Sequence, residues 1–111
     1  MNLQRFSANR VFLGADALTA DRGICEASMV QTMTKEMMAS RGDKIYVLAD
    51  STKLGQTPFN SWAPLERPWT LVTDDSATEE QLAPFRMKGS VEVIVVSSRL
   101  HSVPTDDDEQ Q

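Results

Sequence analysis

The sequence contains a single cysteine, Cys25, and a single histidine, His101. One cysteine cannot form a disulfide within the chain, which excludes a disulfide-stabilised secreted scaffold and favours the reducing cytoplasm as its compartment. With one cysteine and one histidine, the chain also lacks the soft ligands of a clustered zinc site. We therefore expect no metal and no other cofactor, a buried and unreactive Cys25, and a solvent-facing His101.

Long apolar runs and an excess of basic residues are also missing. No apolar run approaches the roughly 20 residues that span a membrane, and no basic segment precedes an apolar one as in a signal peptide. The 11 basic and 16 acidic side chains give a net charge of -5, which argues against a surface that binds nucleic-acid phosphates. The hydrophobic fraction of 41% is typical of a globular protein, and 111 residues form one small domain or part of a larger one.

Short apolar runs alternate with helical patterns along most of the chain. The apolar runs predict four strands, at 11–15, 44–49, 69–73 and 91–96. Capping residues predict helices near 28–41 and 78–88, and Gly42 is expected to end the first helix in a left-handed conformation. This order predicts an α/β fold with a mainly parallel sheet and flanking helices.

The first predicted helix carries methionines at Met29, Met33 and Met37, four residues apart. Residues spaced in this way share one face of a helix, and we expect this face to pack on the sheet. A soft binding surface is the alternative interpretation of such a stripe.

Composition divides the chain into three segments. We expect 1–10 to be a lead-in, 11–100 to form the domain, and 101–111 to be an acidic disordered tail. Within the domain, 51–68 is rich in proline and predicts a long loop, and loops of that length are often functional.

Three of the predicted strands run into an aspartate: Asp16, Asp50 and Asp74. Ligands of open α/β sheets bind outside the carboxyl ends of the strands, so Asp16 and Asp50 are the first candidates for a binding site. For any one such aspartate taken alone, a role in opening a turn or capping the next element is the simpler explanation.

Two segments are more specific than this general pattern. They are FLGADAL at 12–18, followed by DRGI at 21–24, and VLADSTKLG at 47–55. In this order and spacing they resemble the C-terminal effector-binding domain of DeoR-type bacterial transcriptional regulators, and the resemblance covers the chain from about Arg10 to Val96. It implies a non-catalytic sensor of a phosphorylated sugar or related metabolite. It also implies a partial Rossmann-like fold shared with ribose-5-phosphate isomerase and CoA transferases.

The resemblance implies a ligand site formed by Asp16, Asp50, Ser51, Thr52 and Lys53. The flexible ammonium of Lys53 suits a phosphate or carboxylate, and Ser51 and Thr52 can add hydroxyl and backbone donors. Asp16 and Asp50 can accept sugar hydroxyls or hold Lys53 in place. We expect these two aspartates and the lysine to converge at the carboxyl edge of the sheet, and loss of Lys53 to weaken the response to the effector.

A sugar-phosphate isomerase is the alternative, but this sequence departs from the isomerase pattern at two points. The resembled isomerase has a second acid where Thr19 stands, and a glycine-rich, lysine-bearing segment where 24–27 reads ICEA. Deprotonation next to a carbonyl needs a positioned base and a stabiliser of the enediolate, so these departures favour a sensor over an enzyme.

The resemblance to the regulators is also incomplete. Their DNA-binding helix-turn-helix has no counterpart here, so we expect DNA contact only through a domain absent from this chain. The strands that precede the first motif in the family have no counterpart either, and the chain therefore resembles the later part of a sensor domain. An incomplete sheet exposes an edge or a face, which predicts a homo-oligomer. An oligomerisation fragment that binds no ligand is a further alternative.

Overall fold

The computed structural model of the protein describes residues 10–97. The predicted lead-in, apart from Arg10, the predicted acidic tail and His101 lie outside the described residues. Within 10–97 the elements are β1 (Arg10–Gly14), β2 (Ala17–Thr19), β3 (Gly23–Glu26), α1 (Met29–Arg41), β4 (Lys44–Leu48), β5 (Ser61–Ala63), β6 (Trp69–Asp74), α2 (Glu79–Arg86) and β7 (Val91–Val96).

The larger sheet consists of four parallel strands in the order β1-β4-β6-β7. These are the four strands that the apolar runs predict, and the observed ends differ from the predicted ends by at most one residue. The central strands β4 and β6 are mixtures of β-branched and aromatic residues, which pack well on a pleated surface. The prediction of an α/β fold with a mainly parallel sheet and flanking helices is confirmed.

A second, antiparallel sheet of three short strands was not predicted. It has the order β2-β3-β5, and β5 lies inside the segment 51–68 that was expected to be a loop. Each of these strands is only three or four residues long, too short to show an alternation that distinguishes it from a loop. The sheet buries Cys25 completely, as expected, and the Cys25 thiol donates to the carbonyl of Phe59 at 3.3 Å.

Both predicted helices are present, and each begins at the predicted cap. The hydroxyl of Ser28 accepts the backbone N–H of Gln31 at 3.1 Å at the start of α1. At the start of α2, Thr78 and Gln81 form a reciprocal capping box. Both helices lie against the same face of the parallel sheet, where Ala39, Leu82 and Phe85 join the core.

The expectation that the methionine stripe packs on the sheet is wrong. Met29, Met33 and Met37 are 68%, 59% and 56% exposed. The face of α1 turned inward carries the buried Thr32 and Ala39 instead. The half-buried Lys35 lies on this inward side, since its ammonium forms an ion pair with buried Glu26. The apolar stripe therefore does not mark the packed side of this helix, which instead carries the ion pair between Lys35 and Glu26.

Gly42 does not end α1 in a left-handed conformation, because its backbone is extended, with φ -91° and ψ 150°. A glycine is needed at this point for another reason: a Cβ on Gly42 would overlap the side chain of Val11. The end of α1 is capped from a distance by Arg67, whose guanidinium donates to the carbonyls of Ala39 and Gly42.

Candidate functional site

The predicted site residues lie at the carboxyl ends of neighbouring strands of the parallel sheet. Strand β4 lies between β1 and β6, and all three run in the same direction. Asp16 follows β1, the segment Asp50–Lys53 follows β4, and Asp74 is the last residue of β6. The carboxyl ends of parallel strands meet at one edge, so the structure places these residues along the same side of the sheet.

Asp50 shapes the segment that carries Lys53. Its carboxylate caps a short 3-10 helix, Ser51–Lys53, and accepts the backbone N–H of Thr52 at 2.9 Å as well as the Thr52 hydroxyl. The backbone N–H of Lys53 donates to the Asp50 carbonyl at 2.9 Å. Asp50 therefore has the capping role that a strand-ending aspartate often has, while its side chain stays exposed at the edge.

Asp74 holds the same segment from the neighbouring strand. Its carboxylate accepts the backbone N–H groups of Ser51 at 3.0 Å and Ser76 at 2.8 Å. The Ser51 N–H, together with that of Ser76, keeps the pKa of Asp74 below the ordinary value of an aspartate. Gln81 holds Ser51 from the other side, since its side-chain amide donates to the Ser51 carbonyl at 2.8 Å.

Asp74 and Gln81 are thus parts of the site that sequence reasoning missed. Asp74 was visible as a strand-ending aspartate, but nothing in the sequence pairs it with Ser51, 23 residues away. Gln81 was visible only as a capping residue. Its second contact, with Ser51, links the start of α2 to the predicted ligand segment.

Asp16 is held by a buried ion pair. Its backbone N–H donates to the carboxylate of Glu26 at 3.2 Å, while its own side chain is exposed. The ammonium of Lys35 donates to the same Glu26 oxygen at 2.6 Å and to the carbonyl of Gly14 at 2.6 Å. Three elements, β1, β3 and α1, therefore fix the turn that presents Asp16. No sequence signal links Glu26 to Lys35, because they lie on different elements.

Lys53 has no charged partner in the described part of the chain. It is half-buried, and within residues 10–97 its ammonium forms no ion pair or side-chain hydrogen bond. Neither Asp16 nor Asp50 holds it in place in this part of the chain. The edge thus combines one uncompensated cation with two exposed carboxylates, a set that matches a ligand bearing both an anionic group and hydroxyl groups.

Two cavities of small-molecule size open beside this segment. One, of about 380 Å³, is lined by Leu48, Ala49, Asp50, Val72, Thr73, Asp74 and Val96. The other, of about 370 Å³, is lined by Thr19, Ala20, Asp21, Leu54, Gly55, Glu80, Gln81, Pro84 and Phe85. The first is lined by Asp50 and also by Asp74, whose carboxylate accepts the backbone N–H of Ser51. Lys53 lines neither cavity.

The described part of the chain contains neither a candidate metal-binding cluster nor a candidate membrane-spanning helix. Among residues 10–97, no cluster of three or more histidine, cysteine, aspartate or glutamate side chains could hold a metal ion. No helix in that range has the length and apolarity needed to cross a membrane.

Comparison with known proteins identifies relatives of one kind. A family model described as the DeoR C terminal sensor domain matches residues 1–75. The HTH-type transcriptional regulator IolR of Bacillus subtilis is 24% identical, with 70% of this chain aligned to 31% of that protein. The HTH-type transcriptional regulator GlpR of Haloferax volcanii is 29% identical over 72% of this chain and 32% of its own length.

A third relative is a putative aga operon transcriptional repressor of Escherichia coli O157:H7, which is 26% identical over 86% of this chain and 35% of its own length. The chain thus spans about a third of the length of the curated relatives it matches. No solved structure matches the chain significantly.

Proposed function

Since this chain belongs to the DeoR C-terminal sensor domain family, whose members are parts of transcriptional regulators and not enzymes, we propose that it senses a phosphorylated sugar or a related phosphorylated metabolite. Family membership agrees with the resemblance carried by the two motifs. It removes the isomerase-like alternative, because the relatives regulate transcription.

The observation that carries the proposal is that Lys53 has no ion pair within residues 10–97. Lys53 is a half-buried residue without a counter-charge in residues 10–97, and it lies on a backbone held by Asp50, Asp74 and Gln81. A phosphate would supply the missing charge through a charge-assisted hydrogen bond. Ser51 and Thr52 precede Lys53 in the same short helix and could add hydroxyl or backbone donors, and the exposed carboxylates of Asp16 and Asp50 would accept sugar hydroxyls.

The proposal also includes the compartment, the DNA contact and the oligomeric state of the sensor. Effector binding takes place in the cytoplasm, where the regulated DNA is. DNA contact belongs to a helix-turn-helix domain separate from this sensor, as the HTH-type names of the relatives suggest. The sensor works as a homo-oligomer, as symmetric regulators commonly do.

The proposal is tested by titrating the 111-residue chain with a panel of sugar phosphates, and with the matching unphosphorylated sugars, while following backbone amide NMR shifts. We expect at least one sugar phosphate to shift the amides of the Asp50–Lys53 segment, and its unphosphorylated counterpart to leave them unchanged. Lys53→Ala should weaken that binding about ten-fold to a hundred-fold, the equivalent of about 1.5–3 kcal/mol.

Lys88→Ala is the matched control. Lys88 is an exposed lysine that precedes β7, at the amino edge of the sheet, and its removal should leave the affinity unchanged. Binding that is insensitive to Lys53→Ala, or equal for phosphorylated and unphosphorylated sugars, would contradict the proposal. No response to any sugar phosphate would favour the oligomerisation fragment instead.

A further inference from the structure

One of the two cavities beside the Asp50–Lys53 segment lies between α2 and the turn that joins β2 to β3. Its volume is about 370 Å³, and its lining comes from 19–21, from Leu54 and Gly55, and from Glu80, Gln81, Pro84 and Phe85 of α2. Ligand pockets of proteins begin at about 300 Å³. This cavity, which we call the α2 cavity, therefore has room for a small molecule.

The wall of the α2 cavity is apolar and is built on the core of the protein. Leu54 is 2% exposed and Phe85 is 1% exposed, and both belong to the core. Ala20 packs against the same core, and Pro84 is a further apolar residue of the lining. Gly55 leaves space beside this wall, since a Cβ on it would meet no atom within 4 Å. The cavity therefore offers a preformed apolar surface to the body of a ligand.

The charge of the α2 cavity is negative. Within residues 10–97, Asp21 and Glu80 carry the only ionisable side chains among its lining residues. Both residues are exposed, and in the described part of the chain neither carboxylate forms an ion pair or a side-chain hydrogen bond. A cation bound here would therefore meet two carboxylates that no described group has already neutralised.

The basic side chains that are near in sequence are engaged elsewhere. Arg22, the residue after Asp21, places its guanidinium 4.4 Å from the centre of the Trp62 ring. The guanidinium of Arg86 lies 3.9 Å from the carboxylate of Glu79. Neither arginine lines the α2 cavity. The two carboxylates of the cavity are thus left for a cation from outside the described residues.

The hydrogen-bonding groups of the lining favour a ligand rich in donors. The side-chain amide of Gln81 is already bonded, its oxygen to the N–H of Thr78 and its nitrogen to the carbonyl of Ser51. Pro84 has no N–H, so the carbonyl of Glu80, four residues earlier in α2, lacks the donor that a regular α-helix provides. An ammonium group has three N–H donors and no acceptor, whereas a carboxylate has only acceptors. The lining therefore suits an ammonium group and not an anion.

We propose that the α2 cavity binds a small organic cation, a primary ammonium attached to an apolar body. The ammonium lies at the carboxylates of Asp21 and Glu80, and the apolar body contacts Leu54 and Phe85. This site is separate from the proposed sugar-phosphate site, because Lys53 does not line the cavity and the two carboxylates would repel a phosphate. Failure of one site would therefore leave the other untouched.

The test is a titration of the 111-residue chain, followed by backbone amide NMR, with probes that share a phenyl ring on a short chain. The probes are phenethylamine, which is a cation at neutral pH, the neutral phenethyl alcohol, and the anion hydrocinnamate. We expect the amine to give saturable shifts at Asp21, Gly55 and Phe85. It should bind about three-fold to ten-fold more tightly than the alcohol, since exposed carboxylates contribute modestly. The anion should bind more weakly than the alcohol.

Paired variants test the carboxylates. Asp21→Asn with Glu80→Gln keeps the shape of both side chains and removes their charge, and it should lower the affinity for the amine to that for the alcohol. The matched control is Glu66→Gln with Glu79→Gln, which removes two carboxylates that do not line the cavity, one of them from the same first turn of α2. This control should bind the amine as the wild type does. Equal binding of amine and alcohol, shifts that lie elsewhere or do not saturate, an amine affinity unchanged by the first pair, or an equal loss in the control would overturn the proposal.

Discussion

The ammonium of Lys35 lies 2.6 Å from the carboxylate of Glu26, whose side chain is only 1% exposed. Glu26 is the last residue of β3 and Lys35 lies in the middle of α1, so the pair ties the small sheet to the helix. The same two side chains bind the backbone of Gly14 and Asp16 at the end of β1. One ion pair therefore connects three elements and fixes the turn at the first of the two motifs.

Removing Lys35 alone should be more harmful than removing both charges. Lys35→Met leaves the buried carboxylate of Glu26 without its counter-charge, and we expect a loss of about 3 kcal/mol in the free energy of unfolding. The double variant Glu26→Leu with Lys35→Met buries no charge and should recover a substantial part of that loss. Urea denaturation of the three proteins measures both values. A double variant less stable than Lys35→Met would show that the two side chains contribute mainly through their hydrogen bonds to the backbone of Gly14 and Asp16.

Asp74 predicts a pH dependence with a defined sign. Its pKa is lower in the folded chain, so it stabilises the fold at neutral pH, and this contribution is lost as the pH falls through the folded-state pKa, below about pH 4. Asp74→Asn should therefore unfold at lower urea concentration than the wild type at pH 7, and the difference should shrink as the pH approaches 3. Glu66→Gln, which changes an exposed carboxylate without a bond in residues 10–97, should show no such convergence. A constant gap for Asp74→Asn would contradict the assigned cause.

Gly23, at the start of β3, should tolerate no side chain. Its φ is +94°, and a Cβ at this position would overlap the backbone carbonyl of Ala63 in β5. Gly23→Ala should cost more than about 3 kcal/mol, since both backbone strain and overlap oppose it. Gly55→Ala, at a φ of +80° but with free space, should cost about 1–2 kcal/mol. Gly89→Ala, with free space and no positive φ, should stay within about 0.5 kcal/mol. Equal losses for Gly23→Ala and Gly55→Ala would show that the small sheet yields to the added methyl group.

The sequence predicted the parallel sheet well because its strands are continuous apolar runs bounded by polar residues. It predicted nothing of β5, since three residues such as Ser61–Ala63 show no period and their partner strand lies far away along the chain. It placed the methionines of α1 on the wrong side for a related reason. The sequence shows which residues of α1 are apolar, but it does not show which face of the helix packs against the sheets. That face carries contacts between distant residues, such as the ion pair of Lys35 with Glu26.

The candidate site was predictable only in part for the same physical reason. Asp16, Asp50 and Lys53 lie where strand order puts them, at the carboxyl ends of β1 and β4. Their supports, Asp74 and Gln81, act on Ser51 across the fold, 23 and 30 residues away along the chain. Hydrophobic and capping patterns involve residues close together in the sequence, so they do not show contacts between residues this far apart.

Comparing variants of Thr78 and Gln81 can separate an effect on stability from an effect on the proposed binding. Its side-chain oxygen accepts the N–H of Thr78 at 2.9 Å and completes the cap of α2, while its nitrogen donates to the carbonyl of Ser51. Thr78→Ala breaks the cap but leaves the contact with Ser51, and should cost about 1 kcal/mol of stability without changing the conformation at Lys53. Gln81→Ala breaks both contacts and releases the Ser51 carbonyl.

We therefore expect Gln81→Ala, and not Thr78→Ala, to speed amide hydrogen exchange at Thr52 and Lys53 and to weaken the binding of whichever sugar phosphate the wild type binds. Exchange is measured first, because it reports the fixed backbone without any ligand and tests the structural claim alone. Faster exchange with unchanged binding would keep the role of Gln81 as a support and count against the proposed effector site at Lys53. Equal exchange in the two variants would show that the Ser51 segment is held by Asp74 without help from α2.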